Sequence, residues 1–293
     1  MRIIPYEDAC AGNIPTQQGF HDMRTMVRSV LRQSDVVEAA LDLGSVAYGD
    51  GEITSDFDVL VICKDEHFES GETAKVLAHL SERAFYRHVP LAWIFVPLSI
   101  AQDANKHTWE HSFMKSMEWS GNKNGVIKGD PLGLMGLRDD DIVLYTREYI
   151  RRKMSKFRNV IPELFADDES FLSKERRYAL LGDVYSFPIH VARKMLHCAG
   201  YEFPDEDGKK VVCEKYRESF AGSRSVELFD KLVAFREAYA LALAKIASNV
   251  DTFTEREYAT RSQLTFDVLL LAHEFGDASL DLLTEIEQRK TAG

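Results

Sequence analysis

Leu43-Gly44-Ser45-Val46-Ala47-Tyr48-Gly49, followed by Ser55-Asp56-Phe57-Asp58-Val59, is the stretch on which the reading of this 293-residue chain turns. The second segment runs into Leu60-Val61-Ile62-Cys63, a continuous apolar run that fits a strand covered on both faces. On a strand, residues i and i+2 point to one face and lie roughly 6.6 Å apart along the chain. Asp56 and Asp58 are therefore expected side by side, with Phe57 on the opposite face. Two carboxylates at the head of an apolar strand repel each other and resist burial. A divalent cation removes both penalties, and hard oxygen ligands suit Mg²⁺. The preceding Gly-Ser turn can bring backbone N–H groups and a small hydroxyl close to a phosphate, because glycine has no Cβ to obstruct the approach. Together these features predict a nucleoside-triphosphate–Mg²⁺ site.

The surroundings of this stretch read as an α/β layer. Met23, Met26, Val27, Val30 and Leu31 form a helical stripe over 21–33, after a first 20 residues expected to be an irregular arm. A strand is expected at 36–43, a helix at 72–87, and a strand at 91–96 ended by Pro97. A second helical stretch over 108–119 and a short edge strand near 125–131 complete the layer. Beyond residue 139 the period changes to 3.6. Asp139-Asp140-Asp141 is an acidic helix start. Helices are expected over 141–164, 170–199, 224–249 and 254–275, with a tail helix over 279–289. Pro188 should kink or divide the second of these, and 201–210 is the most loop-like interval. The expected organisation is an α+β domain over 1–135, with a small mixed sheet, and an all-α helical bundle over 136–293.

Thirty-six basic and 47 acidic residues give a net charge of −11. That balance argues against a sequence-independent nucleic-acid coat, which works by neutralising phosphates. Cys10, Cys63, Cys198 and Cys213 stand apart, without metal-ligand spacing, so neither zinc nor a disulfide framework is expected. The N-terminus lacks the apolar run of a signal peptide, and 89–98 is about half a membrane span. A cytoplasmic protein with no membrane partner is the expectation.

Gly44-Ser45, ten intervening residues, and then Asp56-Phe57-Asp58-Val59 on a hydrophobic strand resembles the signature of the polymerase-beta-like nucleotidyltransferase superfamily. The helix ahead of it and the helical second half resemble the antibiotic adenylyltransferase branch. The resemblance implies transfer of a nucleoside monophosphate, AMP from ATP in that branch, to an acceptor hydroxyl or phosphate, with pyrophosphate leaving. It implies that Ser45 contacts the β and γ phosphates, and that Asp56 and Asp58 are the catalytic acids and hold Mg²⁺, with Mn²⁺ as the alternative ion. The family usually places a third acid on a neighbouring strand. Here the corresponding position falls at or beside Ala92, and no Asp or Glu occurs between Arg83 and Gln102. That departure leaves the second metal and any general base unassigned, with Glu110 or a carboxylate of the helical half as substitutes.

Further candidates surround this core. Tyr48 is placed to stack on a nucleobase. Arg151, Arg152, Lys153, Lys156 and Arg158 form a basic run in which Lys153 and Lys156 share a helix face, suited either to phosphate or to solvent. Arg193, Lys194, Lys215 and Tyr216 are weaker candidates of the same kind, and Asp183, in an otherwise apolar helix stretch, reads as an N-cap-like or acceptor-facing group. His107 and His111 read as surface imidazoles, and Trp93, Trp109 and Trp119 as packing residues. The expected activity is therefore Mg²⁺-dependent nucleotidyl transfer, with a small molecule as the favoured acceptor and tRNA as a weaker one. The absent third acid motivates an alternative, a nucleotide- or partner-binding member without turnover, such as a toxin–antitoxin component.

Overall fold

The computed structural model describes residues 1–47, 49, 51–103, 111, 125–136, 142–166, 172–202, 208–248 and 254–292. The chain divides into two compact units, one holding a sheet (13–139 and 203–208) and one helical (1–12, 140–202 and 209–293). The expected helix over 108–119 apart from His111, the acidic start at 139–141, Tyr48, His107, Trp109, Glu110 and Trp119 lie outside the described residues.

In the sheet unit, α2 (Gln17–Gln33) starts at Thr16, whose side chain accepts from the Gly19 N–H. Its buried residues Phe20, Met23, Val27 and Leu31 recur at helical spacing and press on one sheet face. Four strands follow: β1 (Ala39–Leu43), β2 (Phe57–Cys63), β3 (Leu91–Pro97) and β4 (Val126–Lys128), ordered β3-β2-β1-β4. The sheet is mixed: β1 pairs antiparallel with β2 and β4, while β2 and β3 run parallel. A parallel pair needs a crossover, supplied by α4 (Asp65–Glu69) and α5 (Glu72–Phe85).

Strand β2 is buried from Val59 to Cys63 because both of its faces are covered. Phe57, Val59 and Val61 join the core under α2 and α5, and Trp93 packs against that core while donating from Nε1 to Ser81 Oγ at 2.8 Å. Leu60 and Ile62 face a second core with Leu41, Leu43, Ile94, Val96 and Ala101. That second layer is built from α6 (Leu98–Gln102) and α7 (Pro131–Leu134). The edge strand β4 is pinned by α2: Arg28 donates to the Val126 carbonyl at 2.9 Å and Arg32 to that of Ile127 at 3.3 Å.

The helical unit comprises α8 (Ile142–Leu164), α9 (Lys174–Cys198), α10 (Lys209–Ser219), α11 (Arg224–Ala247), α12 (Glu255–Ser262) and α13 (Phe266–Ala292). Aromatic edges bind its core, with ring centroids 5.4 Å apart for Phe157 and Phe187 and 5.6 Å for Phe187 and Phe275. No helix among the described residues is long and apolar enough to cross a membrane.

Four expectations are corrected. The first 20 residues are not an irregular arm: α1 (Tyr6–Cys10) precedes α2, and Ile3 and Ile4 are buried. The Ile4 N–H donates to the Tyr239 hydroxyl at 2.7 Å, and Tyr258 donates to the Ile4 carbonyl. Of the two outcomes expected at Pro188, a kink or a division, the division does not occur: α9 runs unbroken from Lys174 to Cys198, and the residues flanking the proline, Phe187 and Ile189, are buried. The break expected near 276–278 lies instead at 263–265, where Gln263 is extended (ψ 126°), and a single α13 runs on to Ala292. Gly276, inside that helix, is a point of close approach. A Cβ there would lie 2.6 Å from Cγ and Sδ of Met154 on α8. His111 is buried, its Nε2 3.0 Å from the Ala101 carbonyl, and is not a surface imidazole. A helix that was not expected, α10, buries Val212 and Tyr216 at i and i+4.

Candidate active site at the head of the second strand

Gly44 ends β1 in the left-handed region (φ 73°), which glycine enters without strain, and opens the short helix α3 (Gly44–Ala47). A Cβ on Gly44 would sit 3.0 Å from Asp58 Oδ2. The glycine therefore makes room beside that carboxylate. Asp58 is the second residue of β2, opposite Leu43 of β1 and Ala92 of β3. By strand alternation it lies on the face of Leu60 and Ile62, with Phe57 on the other. Asp56 immediately precedes the strand.

Burial, with the charge of Asp56 added to it, raises the pKa of the half-buried Asp58 from 3.8 to about 6. Within the sheet unit no described residue joins either carboxylate in an ion pair or hydrogen bond. Asp42, on the neighbouring strand β1, shows the contrast. It is fully buried and is neutralised by Arg24 Nε at 2.8 Å and Arg28 at 2.9 Å. The sheet thus carries one structural acid with arginines and one acid pair without any.

These residues fit a hard divalent cation such as Mg²⁺. They supply two carboxylates that repel each other, no ion pair with a guanidinium among the described residues of the sheet unit, and a cleared space at Gly44. Among the described residues no group of three or more His, Cys, Asp or Glu could hold a metal. The register explains why at this point: the neighbour of Asp58 on β3 is the methyl group of Ala92. A two-carboxylate site leaves most of the six Mg²⁺ positions to water and substrate oxygens, which is how this ion is commonly held.

Ser45 follows Gly44, half-buried, and its Oγ lies 2.8 Å from Ser55 Oγ. Ser55, 5% exposed, is held by a reciprocal turn: its N–H donates to the Glu52 carbonyl at 2.8 Å and its Oγ accepts from the Glu52 N–H at 2.9 Å. The sequence signalled Ser45 through its glycine; Ser55 had only its place before Asp56 as a signal. Gly44, Ser45, Ser55, Asp56 and Asp58 are gathered at one end of β1 and β2.

Lys153 and Lys156 belong to the helical unit. Both ammonium groups pair with Asp183, from α8 to α9, at 3.0 and 2.5 Å. Against the upward push of burial, these two lysines hold the Asp183 carboxyl below its ordinary pKa. Lys194 lies 5.1 Å over the Tyr149 ring, and burial lowers its pKa to about 8. Lys215 pairs with Glu218 at 2.8 Å.

Comparison of the chain with protein-family models gives no match, and comparison with curated proteins gives none either.

Proposed function

We propose that the protein is a Mg²⁺-dependent nucleotidyltransferase that moves a nucleoside monophosphate, with ATP as the favoured donor, to the hydroxyl or phosphate of a small acceptor. The observation that carries this reading is a pair of aspartates at the head of a buried strand, joined in an ion pair by no described residue of the sheet unit, beside a glycine whose missing side chain clears the approach. Asp56 and Asp58 would hold the ion, which when bound supplies charge neutralisation for the triphosphate and the departing pyrophosphate. The chain's own work is positioning. Gly44 admits the phosphates, Ser45 offers them a hydroxyl, and the rigid β1–β2 pair fixes both relative to the acids.

Incubation with each labelled nucleoside triphosphate, Mg²⁺ or Mn²⁺, and candidate acceptors tests the reading. Pyrophosphate release that falls at least a hundredfold in Asp58→Asn is expected, and release unchanged in Asp56→Asn/Asp58→Asn would refute the assignment of these acids. Ala92 favours a second reading, a nucleotide-binding protein without turnover, because no acid stands opposite Asp58 on β3. Calorimetric binding of the triphosphate with no transfer to any acceptor identifies that case.

A further inference from the structure

We infer that Ser55 is a positioning residue that aims the Ser45 hydroxyl at the phosphates, an inference that rests on the nucleotide-binding reading of this site. The side chains of Ser45 and Ser55 meet at 2.8 Å, and the Ser55 oxygen also accepts from the Glu52 N–H at 2.9 Å. A serine hydroxyl has one proton to give and two lone pairs. With Glu52 occupying one lone pair, two arrangements of the serine pair remain.

In the first, which is the one the structure has without ligand, Ser45 donates to Ser55, and the Ser45 oxygen then presents only lone pairs outward, which a phosphate repels. In the second, Ser55 donates to Ser45. The Ser45 proton is then free to point outward as a donor, and every proton in the chain Glu52 N–H, Ser55 O–H, Ser45 O–H runs the same way. An anion at Ser45 reverses the observed bond into the second arrangement, because hydrogen bonds to charged acceptors are about twice as strong as neutral ones. The surroundings of Ser55 suit it to this role, since it is 5% exposed and locked by the reciprocal Glu52 turn, whereas Ser45 is half-buried. Alanine at 55 leaves Ser45 in place but frees its rotor.

A double-variant cycle read by calorimetric titration tests this, using whichever of the four ribonucleoside triphosphates, with Mg²⁺, binds the full chain most tightly. Ser55→Ala is expected to weaken binding about 3- to 10-fold, the usual range for one hydrogen bond. In a Ser45→Ala background the same change is expected to have no further effect, because its partner is already gone. Ser55→Thr, which keeps the hydroxyl, is expected to restore at least half of the lost affinity. A Ser55→Ala that binds as the parent does, or an effect of equal size with and without Ser45, overturns the inference. A Ser55→Ala that fails to fold leaves Ser55→Thr to decide, since loss of affinity there with unchanged thermal stability also overturns it. If Mg²⁺–triphosphate binding persists and depends on Asp58 while Ser55 is silent, only this inference falls; if the parent binds no triphosphate, the reading beneath it falls as well.

Discussion

Asp58 is charged at neutral pH at a cost to the fold. Its pKa is pushed up to about 6 by burial and by Asp56, so between pH 4 and 6 the native state binds more protons than the unfolded chain. Stability contributed by this group is therefore present below its unfolded pKa of 3.8, is lost as pH rises through 6, and stays lost above it. A shift of that size corresponds to a penalty of roughly 2–3 kcal/mol at pH 7. Asp58→Asn in metal-free protein is expected to raise the melting temperature by roughly 5 °C at pH 7 and to have little effect at pH 4. Mg²⁺ should reverse the order, stabilising the parent and leaving the variant unchanged. Calorimetric scans at both pH values, with and without the ion, check all three outcomes. An Asp58→Asn that melts lower than the parent in the absence of metal would mean that the carboxylate has a structural role like that of Asp42 with its two arginines.

At the level of elements, legibility followed the physics of each signal. Strand β2 announced itself through Val59-Leu60-Val61-Ile62-Cys63, because a strand covered on both faces needs no alternation to mark it. The helical stripe on α2 was equally plain, since one face alone meets the sheet. The pairing of Asp58 with Ala92 agrees with the place where the sequence lacks an acid. Ser55 stayed hidden because a hydrogen bond to a residue ten positions earlier leaves no periodicity. The buried Ile3 and Ile4 were too short a run to show a period, and their partners, Tyr239 and Tyr258, lie far along the chain.

The break expected at 276–278 failed where Gly276 sits: glycine marks a helix stop and also a close helix contact, and sequence alone does not separate the two. The structure assigns the second role, with Met154 in the space a side chain would take. Gly276→Leu is expected to destabilise the helical unit by roughly 1–3 kcal/mol through overpacking against α8. Met154→Ala in the same chain should recover part of the loss, because the clash is with that side chain. Urea denaturation of the single and double variants measures both, and equal midpoints for Gly276→Leu and the parent would place Gly276 away from the α8 contact.

For the whole molecule, the net charge of −11 bears on the acceptor. Nucleic-acid affinity grows with the number of phosphates that lysine and arginine neutralise, and several of the chain's cations are already engaged. Lys153 and Lys156 share Asp183, and Arg24 and Arg28 share Asp42. Opening those pairs to reach a polyanion would uncover buried or half-buried carboxylates, so the cost rises with each contact made. A small acceptor needs no such rearrangement. Binding of tRNA, followed by fluorescence anisotropy, is therefore expected to be no tighter than about 10 μM at 150 mM salt. It should also have a shallow dependence on salt, with a log–log slope of magnitude below about 3, because few counterions are released. A submicromolar Kd with a slope steeper than about −5 would require a basic surface of at least five phosphate contacts. The acceptor would then be RNA, and the small-molecule form of the proposal would be wrong, although the acids at 56 and 58 would keep their role.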